Sequence, residues 1–314
     1  MANYRHNLPQ LDGNLFLTDG GIETTLIFHD GLDLPHFAAF HLLQDRHGRG
    51  ALERYFRRHA GIAREHGTGF ILESATWRAS PDWGDKLGYA PDELARANRD
   101  AIGMLTKLRL ELATERSPMV VSGCVGPRGD GYDPGSVMTP QEAEEYHSVQ
   151  INTFAGTEAD MVTAITMTNC AEAIGVARAA KKAGLPAVIS FTVETDGRLP
   201  TGQPLDEAIR DVDAATGGSP AYYMINCAHP SHFSAILDDA DWLRRLRGVR
   251  ANASRRSHAE LDEAEDLDDG DPVELGADYA ALRERFPWIN ILGGCCGTDH
   301  RHIEQICMSC REAA

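Results

Sequence analysis

A chain of 314 residues with a formal charge of −17 and seven cysteines can bury a sizeable core in one or two domains. Its acidity argues against a nucleic-acid surface, which needs a basic stripe to displace counterions, and is compatible with a cationic small substrate. No basic amino-terminal region leads into an apolar stretch, and no apolar run approaches the roughly 18 residues that cross a bilayer, so no membrane partner is expected; an odd cysteine count without a secretory signal fits free thiols in a reducing cytoplasm.

Short β-rich runs alternate with helix-compatible segments along the chain. Runs over residues 15–19, 70–76, 119–124, 161–166 and 187–193 are followed by helical patterns over 37–66, 92–115, 141–158, 171–183 and 206–215. Further runs cover 221–227, 246–251 and 289–294, the last followed by a helical pattern over 299–310. Eight strands in this rhythm predict repeated β-α units and a single (β/α)8 barrel of the TIM type spanning residues 1–314, with its site at the carboxyl ends of the strands. A doubly wound open sheet is the alternative, but Asp19-Gly20-Gly21 does not supply the G-x-G-x-x-G that would follow its first strand. The segment 254–274, rich in Asp and Glu, breaks the rhythm and reads as a solvated excursion. Its position after the seventh strand makes a lid the sharper alternative.

The stretch that carries most chemistry is Gly293-Gly294-Cys295-Cys296-Gly297-Thr298. Adjacent side chains on a strand point to opposite faces, so both thiols reach one ion only where the backbone turns, and glycine permits such turns. Thiolate sulfur suits zinc, and three protein ligands leave a fourth tetrahedral position for water or substrate. Cys227, at the end of the sixth run, is the best third sulfur and would share the catalytic rim with Cys295 and Cys296. A buried apolar role for the pair and a strained redox disulfide stay open. Cys124 and Cys170 have weaker contexts, and Cys307 and Cys310 read as one face of the last helix. His229, His300 and His302 compete as a fourth ligand, though each sits where a capping or solvated histidine is ordinary. A closed site would make the metal structural and the barrel a binding protein. An activated water would make it a hydrolase.

Asp19-Gly20-Gly21, Ser122-Gly123-Cys124-Val125-Gly126-Pro127, Ser190-Phe191-Thr192-Val193 with Thr201-Gly202-Gln203, Asn226-Cys227 and the CC motif together make the chain resemble the homocysteine S-methyltransferase family over nearly its whole length. The resemblance implies a zinc-bearing barrel in which Cys227, Cys295 and Cys296 hold Zn2+ and the substrate thiol takes the open position. It also implies a role in methionine biosynthesis. Asp19 would lie near the amino group of homocysteine, Gly20 and Gly21 would let backbone amides approach its carboxylate, and Asn226 would stand among the substrate residues. The methyl donor would be small and diffusible, a sulfonium or quaternary ammonium, because one barrel uses up the chain and leaves no cobalamin or folate domain. Aromatic faces stabilise such cations, and Trp77 and Trp83 are candidates. A homo-oligomer stays open.

Two positions depart from the family's pattern. Ile165 stands at the end of the fourth strand where an acid usually receives the substrate ammonium, and Arg78 follows Trp77 where the family has no such cation. Arginine forks onto carboxylates, so this pair of changes favours a different thiol acceptor, acid-bearing and without an α-amino group. Glu73 and Glu194 are the residues that would compensate for Ile165 if homocysteine is retained.

Overall fold

The eight apolar runs pair in chain order and close on themselves as a parallel barrel. Its strands are β1 (Phe16–Leu17), β2 (Gly69–Glu73), β3 (Met119–Val125), β4 (Met161–Met167), β5 (Ala187–Thr192), β6 (Tyr222–Asn226), β7 (Leu246–Ala251) and β8 (Ile291–Gly294). Closure comes from Phe16 and Leu17 of β1 registering with Ile291 and Leu292 of β8. The computed structural model describes residues 2–238, 240–264 and 266–312; Met1 and residues 313–314 of the expected domain, and Glu265 of the acidic segment, lie outside them.

Strands covered on both faces must be apolar nearly throughout, and every residue of β2 to β6 is buried. Side chains that point inward, among them Phe16, Ile71, Val120, Val188, Tyr222 and Met224, fill the lower barrel as one cluster. A second, larger cluster seals the strands against the helices. The barrel is therefore a packed core, and the open space lies above it at the carboxyl ends of the strands.

The helices that follow β1 to β5 are α1 (Arg46–His66), α2 (Pro91–Leu112), α3 (Pro140–Ala155), α4 (Cys170–Ala183) and α5 (Leu205–Thr216). After β6 only a single turn forms, α6 (Pro230–Phe233). The circuit ends with α7 (Pro272–Arg285) and α8 (His300–Glu312). The helix expected over 37–66 starts nine residues late because Pro35 and the left-handed His36 (φ 55°) and Phe37 (φ 57°) interrupt the ladder. It begins where Asp45 can cap it, accepting the Gly48 N–H at 2.9 Å. The segment 254–274 folds into a short helix, His258–Asp262, and then into the first turn of α7.

Candidate functional site

The sulfurs meet because β6, β7 and β8 are neighbours. Asn226 of β6 registers with Arg250 of β7, and Arg250 with Gly293 of β8. Just beyond these pairs, the Cys227 N–H donates to the Arg250 carbonyl (3.1 Å) and the Cys295 N–H to that of Ala251 (2.8 Å). Cys227 takes a left-handed backbone, φ 53°, a conformation that is costly for a residue with a Cβ. The turn expected of the glycines thus falls on Cys227 and on Gly297, φ 77°. Gly293 and Gly294 serve close packing instead: a Cβ on the first would collide with Thr18 Oγ1, and on the second with Thr298 Oγ1. Gly21 is in the same position, since its Cβ would lie 2.6 Å from the Cys295 carbonyl oxygen.

The three sulfurs of Cys227, Cys295 and Cys296 all lie within 4.8 Å of one another and form the sole such metal-ligand group among the described residues. Cys227 and Cys295 are joined through sulfur with Cα atoms 5.3 Å apart, and Cys227 Sγ stands 4.0 Å from Cys296 Sγ. Around a tetrahedral zinc with Zn–S bonds near 2.3 Å, sulfurs lie about 3.8 Å apart, a spacing that the 4.0 Å between Cys227 and Cys296 matches and that Cys295 could share once its bond to Cys227 is reduced. The bonded pair is not the adjacent Cys295-Cys296 couple that the sequence leaves open. Oxidation between Cys227 and Cys295 would consume two of the three thiolates. The competing histidines face other partners: His229 Nδ1 accepts the Ser231 N–H at 3.2 Å, His302 Nε2 lies 2.8 Å from the Asp269 carbonyl oxygen, and His300 Nδ1 lies 3.9 Å from Asp299 Oδ1. Cys307 and Cys310 are buried on α8.

A cavity of about 420 Å³ opens beside the sulfurs, and Asp19, Gly20, Gly21, Arg78, Ile165 and Thr166 line it. Asn226 stands behind it. Its Oδ1 accepts the Thr166 N–H (2.9 Å) and the Ser190 hydroxyl (2.6 Å), and its Nδ2 donates to Thr166 Oγ1 (2.8 Å) and faces Cys295 Sγ at 3.9 Å. It therefore acts on the site by placing Thr166 and Cys295. The Gly21 N–H is spent on the Thr298 carbonyl at 3.0 Å.

The cavity floor is built around Arg250, which sequence reasoning misses. Its Nη2 donates to Asp19 Oδ1 at 2.7 Å, its Nε to the Gly294 carbonyl at 3.2 Å, and its Nη1 lies 4.0 Å from Glu73. Tyr55 of α1 donates to Asp19 Oδ2 at 3.0 Å and to the Gly20 carbonyl at 2.8 Å. Each carboxylate oxygen of Asp19 is thus already met by one donor of the protein. Burial opposes the Arg250 charge, yet Asp19 and Glu73 outweigh it and push the pKa up. Burial lifts Glu73 to about 7 against the pull of Arg250. Burial also lifts Glu23, in the turn after β1, to about 7, opposed by its own backbone N–H and reinforced by Asp19.

Arg78 forms one wall. Its guanidinium carbon lies 3.9 Å from the Trp77 ring centre and 3.8 Å from that of Trp83, which also carries Lys86 at 3.8 Å. Both rings offered to a donor cation therefore already hold cations of the protein. Burial lowers the Arg78 pKa to about 10, against the opposing pull of Asp130 and Glu23. Glu194 faces His258 at 3.2 Å. Of the acidic segment, Leu261, Ala264, Leu267 and Asp268 line the cavity, so this part is a wall of the site rather than a solvated excursion. His258 anchors it, with Nε2 2.6 Å from the Cys227 carbonyl oxygen and its ring stacked on Tyr132 at 4.0 Å. The Tyr132 hydroxyl stands 3.1 Å from Cys296 Sγ.

Comparison with known proteins agrees with this fold. A maize (Zea mays) protein, homocysteine S-methyltransferase 4, is 26% identical over 265 residues, covering 77% of this chain and 76% of its own. The oxidised form of the Escherichia coli homocysteine methyltransferase MmuM superposes with a TM-score of 0.72 at 19% identity, covering 97% of this chain and 99% of that one. Its metallated form gives 0.72 at 18% identity, with 95% and 97% covered. The family model for homocysteine S-methyltransferases matches residues 16–310, and the chain belongs to that family.

Proposed function

We propose that the chain is a zinc-dependent S-methyltransferase that moves a methyl group from a small sulfonium or quaternary ammonium donor to a carboxylate-bearing thiol. The observation that carries this reading is the trio of cysteine sulfurs within 4.8 Å of one another beside a 420 Å³ cavity. Cys227, Cys295 and Cys296 would hold the ion, which when bound supplies the positive charge that deprotonates an incoming thiol. An ordinary thiol has a pKa of about 8.5 and arrives largely protonated at neutral pH, so its proton leaves to solvent. The acceptor sulfur then forms a bond to the methyl carbon while the bond from that carbon to the donor's sulfur or nitrogen breaks, its electron pair staying with the leaving group. Arg78 would orient the acceptor through its carboxylate, and the wall formed by Leu261, Ala264, Leu267 and Asp268 would exclude water. If homocysteine is the acceptor, the product is methionine.

No helix among the described residues is long and apolar enough to cross a membrane, and a reducing cytoplasm would keep the three thiols available. The test is metal analysis of the reduced protein followed by a mass-spectrometric screen of thiols against S-methylmethionine, S-adenosylmethionine and betaine. About one zinc per chain and a methylated thiol are expected. Metal-free protein that nonetheless methylates thiols at full rate would sink the zinc assignment, and zinc whose surroundings no thiol alters, read by X-ray absorption, would make the metal structural.

A further inference from the structure

Beside the sulfurs, the cavity holds a cation and an anion whose bonding is incomplete. Arg78 is only 4% exposed, yet its Nε has no hydrogen-bond partner. Its Nη1 donates to the Gly129 carbonyl at 2.8 Å, and the exposed Asp130 comes no closer than 3.7 Å to Nη2. A buried guanidinium with unused donors is costly unless a ligand completes it. Glu23 lines the same cavity and, among the described residues, forms no ion pair; its carboxylate meets only its own N–H, with Asp19, Arg78 and Arg250 acting on it through space.

The other acids of the cavity are less suited to a cationic ligand. Asp19 has both oxygens engaged, by Arg250 and by Tyr55. Glu73 keeps one unpartnered oxygen, but Arg250 stands 4.0 Å from the other, so an ammonium there would meet an arginine. Ile165, which lines the same cavity, is apolar and 8% exposed. Resting on the thiol-methyltransfer reading above, we propose that Glu23 and Arg78 form a receptor for a zwitterionic acceptor, Glu23 taking the ammonium and Arg78 the carboxylate of an α-amino-acid thiol. Ile165 alone favours an acceptor without an α-amino group; Glu23 reverses that inference. Because burial holds Glu23 near a pKa of 7, an ammonium beside it favours the ionised carboxylate, and binding releases a fraction of a proton at neutral pH.

The experiment uses the full chain, zinc-loaded and reduced, with L-methionine and its des-amino analogue 4-(methylthio)butanoate as calorimetric probes. Both are thioethers, so neither needs to ionise at sulfur. The native chain is expected to prefer methionine by about 30- to 100-fold, with proton release that depends on buffer. Glu23→Gln is expected to bring that preference to about threefold or less while leaving affinity for the des-amino probe within about twofold, which also shows that the variant is folded. The ratio of kcat/KM for homocysteine to that for its des-amino analogue should collapse in parallel. A native chain without the preference overturns the receptor, as does a preference that survives Glu23→Gln or moves instead with Glu73→Gln. Selective methionine binding with no thiol methylated would leave the receptor standing and remove the transferase reading; methylation with unselective binding would do the reverse.

Discussion

On the sulfur side of the cavity, main-chain hydrogen bonds set the geometry. The Cys227 and Cys295 N–H groups donate to β7 carbonyls, the Cys296 carbonyl accepts from Ala253 N–H at 3.0 Å, and the Cys227 carbonyl accepts from Asn252 Nδ2 at 3.0 Å and from His258. On the charged side, side chains do the same work across long stretches of sequence: Arg250 reaches Asp19 across 231 residues and Tyr55 reaches it across 36. A site built from backbone tolerates loss of a side chain better than a site in which each charge is neutralised by another. The two sides should therefore respond to mutation in opposite ways, one losing function with little loss of fold and the other losing fold as well.

The largest functional effect is expected on the sulfur side. Cys296→Ala removes one of three candidate ligands from an exposed position, so metal affinity should fall by more than about 100-fold and methyl transfer with it. The stability of the metal-free, reduced chain should change by less than about 1 kcal/mol, as for other exposed substitutions. Metal content by mass spectrometry and urea unfolding measured on the same sample decide the matter. Full zinc occupancy in the variant would exclude Cys296 from the ligand set.

The charged side should show the reverse balance. Arg250→Met leaves Asp19 and Glu73 buried without their cation, and removing one partner of a buried pair typically costs about 3–5 kcal/mol. Urea unfolding of the metal-free chain should show that loss. Adding Asp19→Asn should recover part of it, because the orphaned charge is then gone. A single variant as stable as the native chain would mean that the floor is not held by this pair.

The same contrast explains what could be read from the chain. Most of the eight strands are legible because burial on both faces makes them nearly continuous apolar runs, β7 with its two arginines being the exception, and the sulfur site is legible because its glycines and cysteines are local and its strands end at one rim. Ends were less legible: β1 keeps only Phe16–Leu17 of residues 15–19, and α1 waits for Asp45. The charged floor depends on pairings that only the closed barrel creates. One signal was available for Arg250, an arginine inside the buried strand Leu246–Ala251, where charge survives only if paired. Glu23 offered no comparable signal, since a glutamate after a turn is ordinarily solvated.

The smallest expected effect concerns pH and separates the two sides once more. Glu73 is 6% exposed, and its pKa rises from 4.5 to about 7, chiefly through burial. Its folded form keeps the proton after the unfolded chain has lost it, so its contribution to stability is full below pH 4.5 and is lost as pH rises through about 7. Glu73→Gln keeps the shape and removes the titration. The native chain should therefore lose at most about 3 kcal/mol relative to the variant across this window. Glu23 titrates in the same direction, and His229, lowered to about 4 mainly by burial, in the opposite one. Both remain in the variant, so their slopes cancel in the difference. Urea unfolding of the two proteins in reducing buffer from pH 5 to 8 gives that difference directly. A flat line would mean that Glu73 ionises as freely in the folded barrel as in the unfolded chain, and that the floor around Arg250 already holds Glu73 charged at neutral pH.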